Sequence, residues 1–423
     1  MDFNFDLSQG LFSSADVDNG TRFLLKILSQ TLDEDREAGM DPPLRILDAG
    51  CGTGVIGICA AAAIAQMVNG SGVRIRCQDR DELARLITTH NAALNGIPPS
   101  LLEAHTEPLL AGTETSWDLI LTNIPAKAGT PVLADFIRRS AGLLNPGGKV
   151  IMVAVAPLAD FFREQIESTA EAELLREHPG PGHSVFVYRQ TANHVQQAAP
   201  VSNGPDFIAR HPFYLRASVT CSIEDIPVHL TTIHGATGFD KPGGAVLSAA
   251  KLVRRLRPEQ LPLDGAPLLV HEPDQGFFPC WLLAFLQSEP SVVLTGRNIL
   301  ALEAARYNVR QNARQNAIPA VVPAADLRLS ENALLQATGG RPYGFIAAFP
   351  ELLPQSSLPK GTDQLAAIWD AVPPLLAGGG VFLTAFSSSD AERFDRKKPA
   401  GFTLLGSVKR NGFRALAYRF MRA

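Results

Sequence analysis

Short apolar runs of the kind that form buried strands alternate along this chain with longer runs of helical periodicity. Strands covered by helices on both faces of a sheet are continuous apolar segments, and their alternation with helices indicates a mostly parallel, doubly wound α/β sheet. In the first half the pattern predicts, in order, a strand at 45–50, a helix at 55–67, a strand at 74–79, a helix at 81–96, a strand at 117–123, a helix ending at 143–148, a strand at 149–156 and a closing antiparallel hairpin at 173–189.

The second half repeats this order, which predicts a tandem duplication of one architecture. The repeat extends to details, because Asn91 and Asn95 recur as Asn308 and Asn312. The elements predicted there are strands at 268–273, 292–298, 343–350 and 381–386, helices at 277–286 and 301–313, a helix ending at 374–380, and a closing hairpin at 402–420, whose Asn411-Gly412 pair is a strong turn signal.

Each half opens with a loop that runs into a helix, at 10–28 and 235–252. Between the halves, residues 191–206 show no hydrophobic periodicity and are rich in Gln, Asn, Ala and Pro, as linkers are. We therefore predict a first domain at 1–190, a linker at 191–206 and a second domain at 207–423.

Length and composition fit a soluble two-domain protein. The 423 residues exceed the ~100–200 typical of one domain, and 46% hydrophobic and 19% charged residues are ordinary for a globular chain. The chain opens without the pattern of a secretory signal, and its most apolar run, 58–68, is far shorter than the ~20 residues of a membrane span, so no membrane contact is expected. The five cysteines form no C-x-x-C pair, so that neither a disulfide framework nor a metal site is indicated, and a cytoplasmic location is expected.

The net charge of −4 is unevenly divided along the chain. Residues 1–200 carry 15 Lys and Arg against 24 Asp and Glu, a balance of −9, whereas residues 201–423 carry 23 against 18, a balance of +5. The second half is therefore the expected contact for a polyanion. A balance of +5 over this length is also common in proteins that bind no polyanion, and this alternative stays open.

The segment LDAGCGTGVIG at 47–57 places Asp48 and three glycines between a predicted strand and a predicted helix. Glycines there let the chain turn tightly and let a cofactor approach the backbone, and Asp48 can orient the loop or meet an ammonium group. Asp79 ends the second strand, where a carboxylate accepts hydrogen bonds from both hydroxyls of a ribose. The residues of the loop itself are Gly50, Cys51, Gly52, Thr53 and Gly54.

The D-x-G-x-G-x-G pattern, followed by an acid at the end of the next strand, resembles the class I S-adenosylmethionine-dependent methyltransferases. With the lead-in GLFSSADVDNGTRFLL (10–25) and the loop LTNIPAKAG (121–129), the first half is similar to the two-domain ribosomal RNA guanine-N2 methyltransferases of the methyltransferase small domain family. The resemblance implies two tandem Rossmann-like domains and S-adenosyl-L-methionine as the cofactor. In that family the degenerate domain comes first and the active domain second, and the order is reversed here.

Two other interpretations of the glycine loop stay open. GTGVIG at 52–57 also satisfies the G-x-G-x-x-G fingerprint of NAD enzymes, and Asp79 lies 22 residues beyond Gly57, as that fingerprint requires. The second alternative is a glycine turn with a purely structural role. The additional Asp48 and Gly50, together with the closing hairpin, favour the methyltransferase.

The resemblance also implies which residues bind the cofactor. In that family a lead-in of the type G-[VL]-F-S-x(3)-[LIV]-D-x-G-[ST] helps to enclose the methionine end of the cofactor, and this chain carries the matching residues. The predicted cofactor site therefore comprises Phe12, Ser13, Asp18, Gly20, Thr21, Asp48, Gly50, Cys51, Gly52, Thr53, Gly54, Asp79 and Asn123.

The loop LTNIPAKAG resembles the Asn-Pro-Pro-aromatic loop of enzymes that methylate amines of nucleic-acid bases. Asn123, Ile124 and Pro125 are the predicted catalytic residues, because the Asn side chain and the next carbonyl accept the two amine hydrogens and localise the nitrogen lone pair. Ala126 replaces the aromatic residue that would stack on a flipped base, a contact worth ~1–3 kcal/mol. An Asn123 that merely ends the strand is the alternative. No general base is evident among the isolated histidines of this half, His90, His105, His178 and His183.

The second half has lost the donor motif. Alignment of LDAGCGTG with LVHEPDQG sets Glu272 opposite Gly50 and Asp274 opposite Gly52, and Gly296 replaces the acid that ends the next strand. Side chains there would fill the space of the methionine end, so we predict that this half binds no S-adenosylmethionine. A new acid pair or metal site at Glu272 and Asp274 is the alternative, and no metal is expected.

Positive charge in the second half recurs at helical spacing. Arg306, Arg310 and Arg314 would share one helical face and, with the basic stretches 251–257 and 395–398, are candidate contacts for RNA phosphates. A solvated helix face is the alternative.

Taken together, these patterns favour a methyltransferase with an active first domain and a degenerate second domain that binds substrate or is structural. The favoured acceptor is an exocyclic guanine amine of ribosomal RNA. A methyltransferase of a small molecule or a protein side chain is the first alternative, supported by Ala126 and by the acidic first half. A non-catalytic module that binds S-adenosylmethionine is the second.

Overall fold

The computed structural model of the chain describes residues 2–11, 16–68, 72–113, 116–191, 206–261, 265–286, 290–313 and 319–421. It divides into two compact units, Met1–Pro205 and Asp206–Ala423, called unit 1 and unit 2. Residues 192–205 of the predicted linker lie outside the described residues.

Unit 1 is built on one seven-stranded sheet. Its strands are β1 (Arg45–Ala49), β2 (Arg74–Asp79), β3 (Leu102–Thr106), β4 (Trp117–Asn123), β5 (Leu144–Val155), β6 (Ala172–Pro179) and β7 (His183–Gln190). Its helices are α1 (Asn19–Glu37), α2 (Val55–Met67), α3 (Glu82–Leu94), α4 (Thr130–Gly142) and α5 (Ala159–Ser168). The strand order is β3-β2-β1-β4-β5-β7-β6, in which the pairs from β3 to β5 are parallel and β7 is antiparallel to both of its neighbours.

Unit 2 repeats this sheet and adds a hairpin before it. Its strands are β8 (Leu215–Ile223), β9 (Ile226–Ile233), β10 (Leu268–His271), β11 (Val292–Gly296), β12 (Ala320–Pro323), β13 (Tyr343–Ala348), β14 (Leu376–Ser387), β15 (Phe402–Arg410) and β16 (Phe413–Phe420). Its helices are α6 (Phe207–Arg210), α7 (Gly244–Val253), α8 (Phe277–Leu286), α9 (Ile299–Asn312), α10 (Glu331–Gln336), α11 (Gln364–Leu375) and α12 (Ser388–Arg396). The order β12-β11-β10-β13-β14-β16-β15 is that of unit 1, and β8 and β9 form a separate two-stranded sheet.

These sheets confirm the predicted doubly wound architecture with a closing antiparallel hairpin in each half. The central strands are buried on both faces, as in β10 and β13, where every residue is buried, because helices cover both sides of each sheet. Along the described part of the chain, none of the helices has the length and apolar character that crossing a bilayer demands.

Glycines carry β5 through a segment where the sequence predicts the end of a helix. That prediction for 143–148 is wrong, because α4 ends at Gly142 and β5 begins at Leu144. Gly147 has a φ of +82°, and a Cβ on Gly148 would lie 2.9 Å from the Trp117 carbonyl oxygen. The strand β5 therefore begins at Leu144 and contains a bulge at these glycines, whereas the sequence predicts a strand that begins at residue 149. In unit 2, β14 likewise takes in most of the segment predicted to end a helix.

The β8–β9 hairpin is absent from the predicted elements. Its turn residues, Glu224 and Asp225, hold φ of +47° and +64°, the left-handed conformation that a two-residue turn requires and that Asn-Gly normally signals. Because neither residue is glycine or asparagine, the sequence carries no turn signal there. Asn411 and Gly412 hold φ of +49° and +82°, and the hairpin predicted at that pair is confirmed.

The repeated asparagines tie an extended segment to each unit by matching hydrogen bonds. In unit 1, Asn91 accepts from the Asp6 amide (2.9 Å) and donates to the carbonyls of Asp6 (3.0 Å) and Thr53 (2.9 Å). In unit 2, Asn308 exchanges the first two bonds with β9 and donates to the Gln275 carbonyl (2.8 Å). One side chain in each unit therefore joins this segment to the loop that follows the first strand of the large sheet.

Replacement of Asn91 by alanine is expected to free residues 2–8 from unit 1. Three hydrogen bonds are lost, including one to the Thr53 carbonyl, so the free energy of unfolding of unit 1 should fall by ~1–3 kcal/mol. Hydrogen exchange followed by mass spectrometry should show faster amide exchange in residues 2–8.

The matched control is Asn308→Ala, which breaks the corresponding bonds of unit 2 and should leave exchange in residues 2–8 unchanged. Phe3 and Phe5 of the segment also pack against the core of unit 1. The Asn95 side chain also bonds the backbone of Asn4 (3.0 and 2.7 Å). Normal exchange in the Asn91→Ala variant would show that these remaining contacts are enough to hold the segment.

Candidate active site

The loop between β1 and α2 has the glycine-dependent backbone that its sequence predicts. Gly50, Gly52 and Gly54 hold φ of +81°, +56° and +84°, a region that favours glycine. Among the described residues, a Cβ on Gly52 would meet nothing within 4 Å and one on Gly50 only the Leu109 side chain, whereas one on Gly54 would lie 2.8 Å from Thr88. The first two glycines therefore leave space for a ligand, and the third lets the loop pack against α3.

Asp48 lies on β1 beneath this loop and is fully buried. Its Oδ2 accepts from the Gly57 amide (2.8 Å), while its Oδ1 has no hydrogen-bond partner within the described residues. Burial raises the pKa of Asp48 to about 7, an effect that the Gly57 amide opposes and the nearby Asp79 reinforces. Asp48 therefore holds the Gly57 amide in the first turn of α2.

Asp79 joins the end of β2 to the donor loop. Its Oδ2 accepts from the Gly52 amide (3.1 Å) and its Oδ1 from the Asp81 amide (3.0 Å). Burial raises the pKa of Asp79, and the hydrogen bonds from the two amides oppose the rise. The residue is partly exposed, and a carboxylate has about four acceptor positions, so Asp79 can accept further hydrogen bonds from a ligand.

Cys51 and Thr53, also predicted to bind the cofactor, are both buried. The Cys51 sulfur lies 3.5 Å from the Thr88 hydroxyl, and the Thr53 carbonyl accepts from Asn91. These contacts serve packing beneath the loop and lend no side-chain support to the predicted role.

Asn123, at the end of β4, is held by the first residues of α1. Its Nδ2 donates to both carboxylate oxygens of Asp18 (3.2 and 3.3 Å) and to the Thr21 hydroxyl (3.1 Å). Asp18 is in turn the N-cap of α1, because its carboxylate accepts from the amide and hydroxyl of Thr21. This arrangement directs Nδ2 to α1, and Oδ1 accepts no hydrogen bond from the described residues. Phe12 and Ser13 of the same lead-in lie outside the described residues.

The rest of the predicted substrate loop offers backbone groups. Ile124 is buried and its amide donates to the Val153 carbonyl (3.1 Å), but its own carbonyl receives no hydrogen bond within the described residues. Pro125 and Ala126 are exposed. Two acceptors adjacent in the chain, Asn123 Oδ1 and the Ile124 carbonyl, are therefore available.

Two features beside the site carry no sequence signal. A Cβ on Gly20 would lie 2.9 Å from Cδ2 of His183, so glycine lets α1 approach the imidazole ring at the start of β7. Leu109, with a φ of +47°, stands near Gly50, and the side-chain amide of Gln78 donates to its carbonyl. A bulky residue with positive φ and a histidine far away in sequence cannot be assigned to a site from the chain alone.

The corresponding loop of unit 2 keeps the same backbone but fills it with side chains. Glu272 and Asp274 hold φ of +53° and +51°, which places both in the left-handed region used by the glycines of unit 1. Glu272 accepts from the Arg297 amide (2.9 Å), and its carboxylate lies 3.0 Å from where a Cβ on Gly296 would be. The strand register also puts Phe349 in the position of Asn123.

The lead-in of unit 2 is bonded directly to this loop. Asp274 accepts from the Thr237 hydroxyl (3.1 Å), and Gln275 donates to the carbonyls of Thr237 (3.1 Å) and Phe239 (2.6 Å). Burial raises the pKa of Asp274 to about 7. Within the residues that the structure describes, no group of three or more His, Cys, Asp or Glu side chains is placed to hold a metal ion.

Arg306 and Arg310 on α9 are engaged within unit 2. Arg310 bonds both carboxylate oxygens of Asp206 (2.9 and 3.0 Å), whose side chain is only 11% exposed. Arg306 lies 3.7 Å from Glu303, and Arg314 lies outside the described residues. A phosphate would have to displace Asp206 from Arg310, so the two described arginines of the predicted stripe, Arg306 and Arg310, already have acidic neighbours.

Part of the chain is similar in sequence to known proteins. A family model described as the methyltransferase small domain matches residues 2–171. Ribosomal RNA small subunit methyltransferase C of Actinobacillus pleuropneumoniae serotype 3 is 29% identical over 159 residues, which are 37% of this chain and 43% of that protein. Uncharacterized protein YbxB of Bacillus subtilis is 30% identical over 154 residues, 36% of this chain and 68% of that protein. The chain thus spans less than half of the matched ribosomal RNA methyltransferase.

Both units together are similar to one solved structure. The 16S rRNA N2 guanine methyltransferase RsmC of T. thermophilus, solved in complex with AdoMet and guanosine, has a TM-score of 0.59 at 16% identity, covering 98% of this chain and 95% of that chain. At this identity the likeness shows the fold alone. It confirms the predicted class of two tandem Rossmann-like domains.

The pKa of Asp48 predicts a pH dependence of stability. In the unfolded chain the carboxyl ionises near 3.8, whereas in the folded chain it keeps its proton up to about pH 7. Its contribution to stability is therefore fully present below pH 3.8 and is lost as the pH rises through about 7. Asp48→Asn cannot ionise, so the unfolding free energy of the variant relative to the wild type should rise by roughly 4 kcal/mol across this window.

Urea unfolding of protein labelled with fluorotryptophan, followed by fluorine NMR, measures this difference. Trp117 is the one tryptophan in the sequence of unit 1 and reports that unit alone. Asp274, whose pKa is also raised to about 7, is present in both proteins and cancels. An equal pH dependence of the two proteins would mean that Asp48 is ionised when folded.

Proposed function

The chain belongs to the methyltransferase small domain family, and we propose that unit 1 uses S-adenosylmethionine to methylate an exocyclic guanine amine of ribosomal RNA. The observation that carries the proposal is the bonding of Asn123 to Asp18 and Thr21, at the end of a strand that pairs with the strand of the open glycine loop. The carboxyl ends of these two adjacent central strands, β1 and β4, thus hold a space for a methyl donor and two hydrogen-bond acceptors for an amine.

The residues of the glycine loop suit S-adenosylmethionine. Gly50 and Gly52 leave room beside the backbone, Asp48 Oδ1 is an acceptor without a partner in the described residues, and Asp79 has unused acceptor capacity. We assign Asp79 to the ribose hydroxyls and the loop to the methionine end. When bound, the cofactor supplies an electrophilic methyl group on a sulfonium, so the main task of the protein is orientation.

The substrate loop prepares the amine as a nucleophile. An exocyclic base amine is weakly nucleophilic because its lone pair is delocalised into the ring. Asn123 Oδ1 and the Ile124 carbonyl accept its two hydrogens, which localises the lone pair on nitrogen. Because Nδ2 donates to the Asp18 carboxylate, the amide is polarised and Oδ1 becomes a stronger acceptor. Asp18 is therefore a positioning residue that acts through Asn123.

The choice of ribosomal RNA is supported by what similar proteins are named for and by the likeness of the whole fold to a protein solved with guanosine. Ala126, which is exposed and has no ring, supports a second candidate, the amine of a protein side chain or a small molecule, because such an acceptor needs no stacking partner.

Unit 2 is proposed to bind no cofactor and to contact the substrate or support unit 1. Glu272 and Asp274 occupy the space that the glycines leave open in unit 1, and the lead-in at Thr237 is bonded to them. Phosphate contact through Arg310 requires exchange of Asp206 for the phosphate.

Asn123→Ala is expected to leave the dissociation constant for S-adenosylmethionine nearly unchanged and to lower kcat about 100- to 1000-fold. The hydrogen bond from the amine tightens as the nitrogen becomes cationic, and losing one such contact typically costs ~2.7–4 kcal/mol in the transition state. Single-turnover methylation of small-subunit ribosomal RNA with radiolabelled donor, together with calorimetry, measures both quantities.

Asp18→Asn is the companion variant, because it removes the charge behind Asn123 and keeps the shape. It should lower kcat by less than Asn123→Ala, and the double variant should be no slower than Asn123→Ala alone. Turnover within a factor of about two of wild type in Asn123→Ala would show that the residue only ends a strand, since one lost catalytic hydrogen bond is worth far more.

Donor binding should reside in unit 1, with one site per chain. Asp79→Ala should weaken S-adenosylmethionine binding by at most ~1.5–3 kcal/mol for each ribose hydrogen bond, because a charged acceptor is lost. Asp274→Ala is the matched control in unit 2 and should leave the dissociation constant unchanged. Calorimetric titration of the full chain that gave two sites, or an unaffected Asp79→Ala variant, would contradict this assignment.

A further inference from the structure

A cleft of about 530 Å³ in unit 2 is lined on one side by the segment before α11 and on the other by α12. The lining residues are Gly361, Thr362, Asp363, Arg393, Arg396 and Lys397. Three of the six are cations and one is an anion, so the cleft is positively charged although the chain as a whole is acidic.

The cations of α12 are presented by a rigid support. Phe394 and Ala391 of this helix are buried, and the Phe394 ring stacks on Trp369 of α11 with centroids 4.3 Å apart and planes 10° from parallel. The Trp369 indole also donates to the Phe394 carbonyl (3.0 Å). Because α12 is anchored by these positions, Arg393 and Arg396 lie on its other faces, and Lys397 directly follows its end. All three residues are exposed.

The ion pairs that these cations already form would compete only weakly with a bound anion. Arg393 bonds Asp390 (3.1 Å) and Lys397 bonds Asp363 (2.6 Å), but all four side chains are partly exposed, and exposed ion pairs are worth little. Arg396 forms no ion pair with any described residue. On α9, by contrast, Arg310 is bound through two oxygens to the nearly buried Asp206.

We propose that this cleft binds phosphate groups of the RNA substrate through Arg396, which is paired with no carboxylate of the described residues, and through Arg393 and Lys397, which are shared with their carboxylate partners. A concave site with clustered guanidinium and ammonium groups suits phosphate, which guanidinium binds through paired hydrogen bonds. The inference rests on the proposed function, because it takes RNA as the substrate of unit 1.

The test compares two double variants of the full chain that each remove two charges from unit 2. Arg393→Gln with Arg396→Gln removes both arginines of the cleft and keeps the ion pair of Lys397 with Asp363, the N-cap residue of α11. Arg328→Gln with Lys409→Gln is the matched control, because both residues are exposed and lie outside the lining of the cleft and outside the basic stretches 251–257 and 395–398. Affinity for deproteinised bacterial small-subunit ribosomal RNA is measured as a function of salt for each, with inorganic polyphosphate as a second probe.

The cleft variant should bind this RNA more weakly, and the slope of log affinity against log salt should fall by ~1.4–1.8, which corresponds to two lost phosphate contacts. The control should keep the slope of the wild type. Equal losses in both variants, an unchanged cleft variant, or a loss confined to polyphosphate would each overturn the inference.

The two proposals fail in different ways. Both double variants leave Asn123, Asp18 and the glycine loop intact, so each should bind S-adenosylmethionine with the affinity of the wild type. If the wild-type chain methylates RNA and the cleft variant keeps full affinity, only the cleft is refuted. If no RNA is methylated in any variant while protein or metabolites are, the substrate assignment of unit 1 fails and the cleft proposal falls with it.

Discussion

The left-handed turn after the first strand of each large sheet is the constraint on which the rest of the structure depends. Both units hold positive φ at the same three positions of this turn, although unit 2 carries Glu272 and Asp274 there, and each such residue costs ~1–2 kcal/mol in this conformation. Unit 2 tolerates that cost because hydrogen bonds from the Arg297 amide to Glu272 and from Asn308 to the Gln275 carbonyl hold the loop. The turn is therefore set by the fold in both units.

The same turn explains how side chains fill the space beside this loop in unit 2 while the backbone of the loop stays the same. In unit 1 a glycine faces the space and Asp79, on the neighbouring strand, binds backbone amides. In unit 2 the two residue types have changed places, since Glu272 directly follows the first strand, β10, and Gly296 ends the second, β11. The Glu272 carboxylate reaches the position that an acid at residue 296 would occupy and bonds an amide there. Unit 2 thus keeps a carboxylate that accepts from a backbone amide, that of Arg297. The Glu272 side chain that carries it extends from the first-strand loop to Gly296, across the space that the glycines leave open in unit 1.

Local signals account for what the sequence predicted and for what it missed. Apolar runs, the glycine pattern and Asn411-Gly412 are short-range features, and the strands, donor loop and hairpin that they predict are present. The turn at Glu224 lacked such a signal, because its left-handed backbone is imposed by strand pairing. The contact of Asn123 with Asp18 spans 105 residues. The family resemblance implies that both belong to the cofactor site, but neither segment carries a signal that the two side chains bond each other.

That long-range contact also determines how much hydrogen-bonding capacity Asp18 and Asp48 have left for a ligand. A carboxylate offers about four acceptor positions, and Asp18 already accepts from the Thr21 amide, the Thr21 hydroxyl and the Asn123 amide group. Its capacity is committed to the helix cap and to the substrate loop, so it has little left for a cofactor. Asp48 has the opposite balance, because Oδ1 has no partner in the described residues and burial keeps the group neutral below about pH 7. Under the proposed function, the lead-in therefore supports the acceptor amine, and Asp48 is the acid whose pKa a cationic donor would lower.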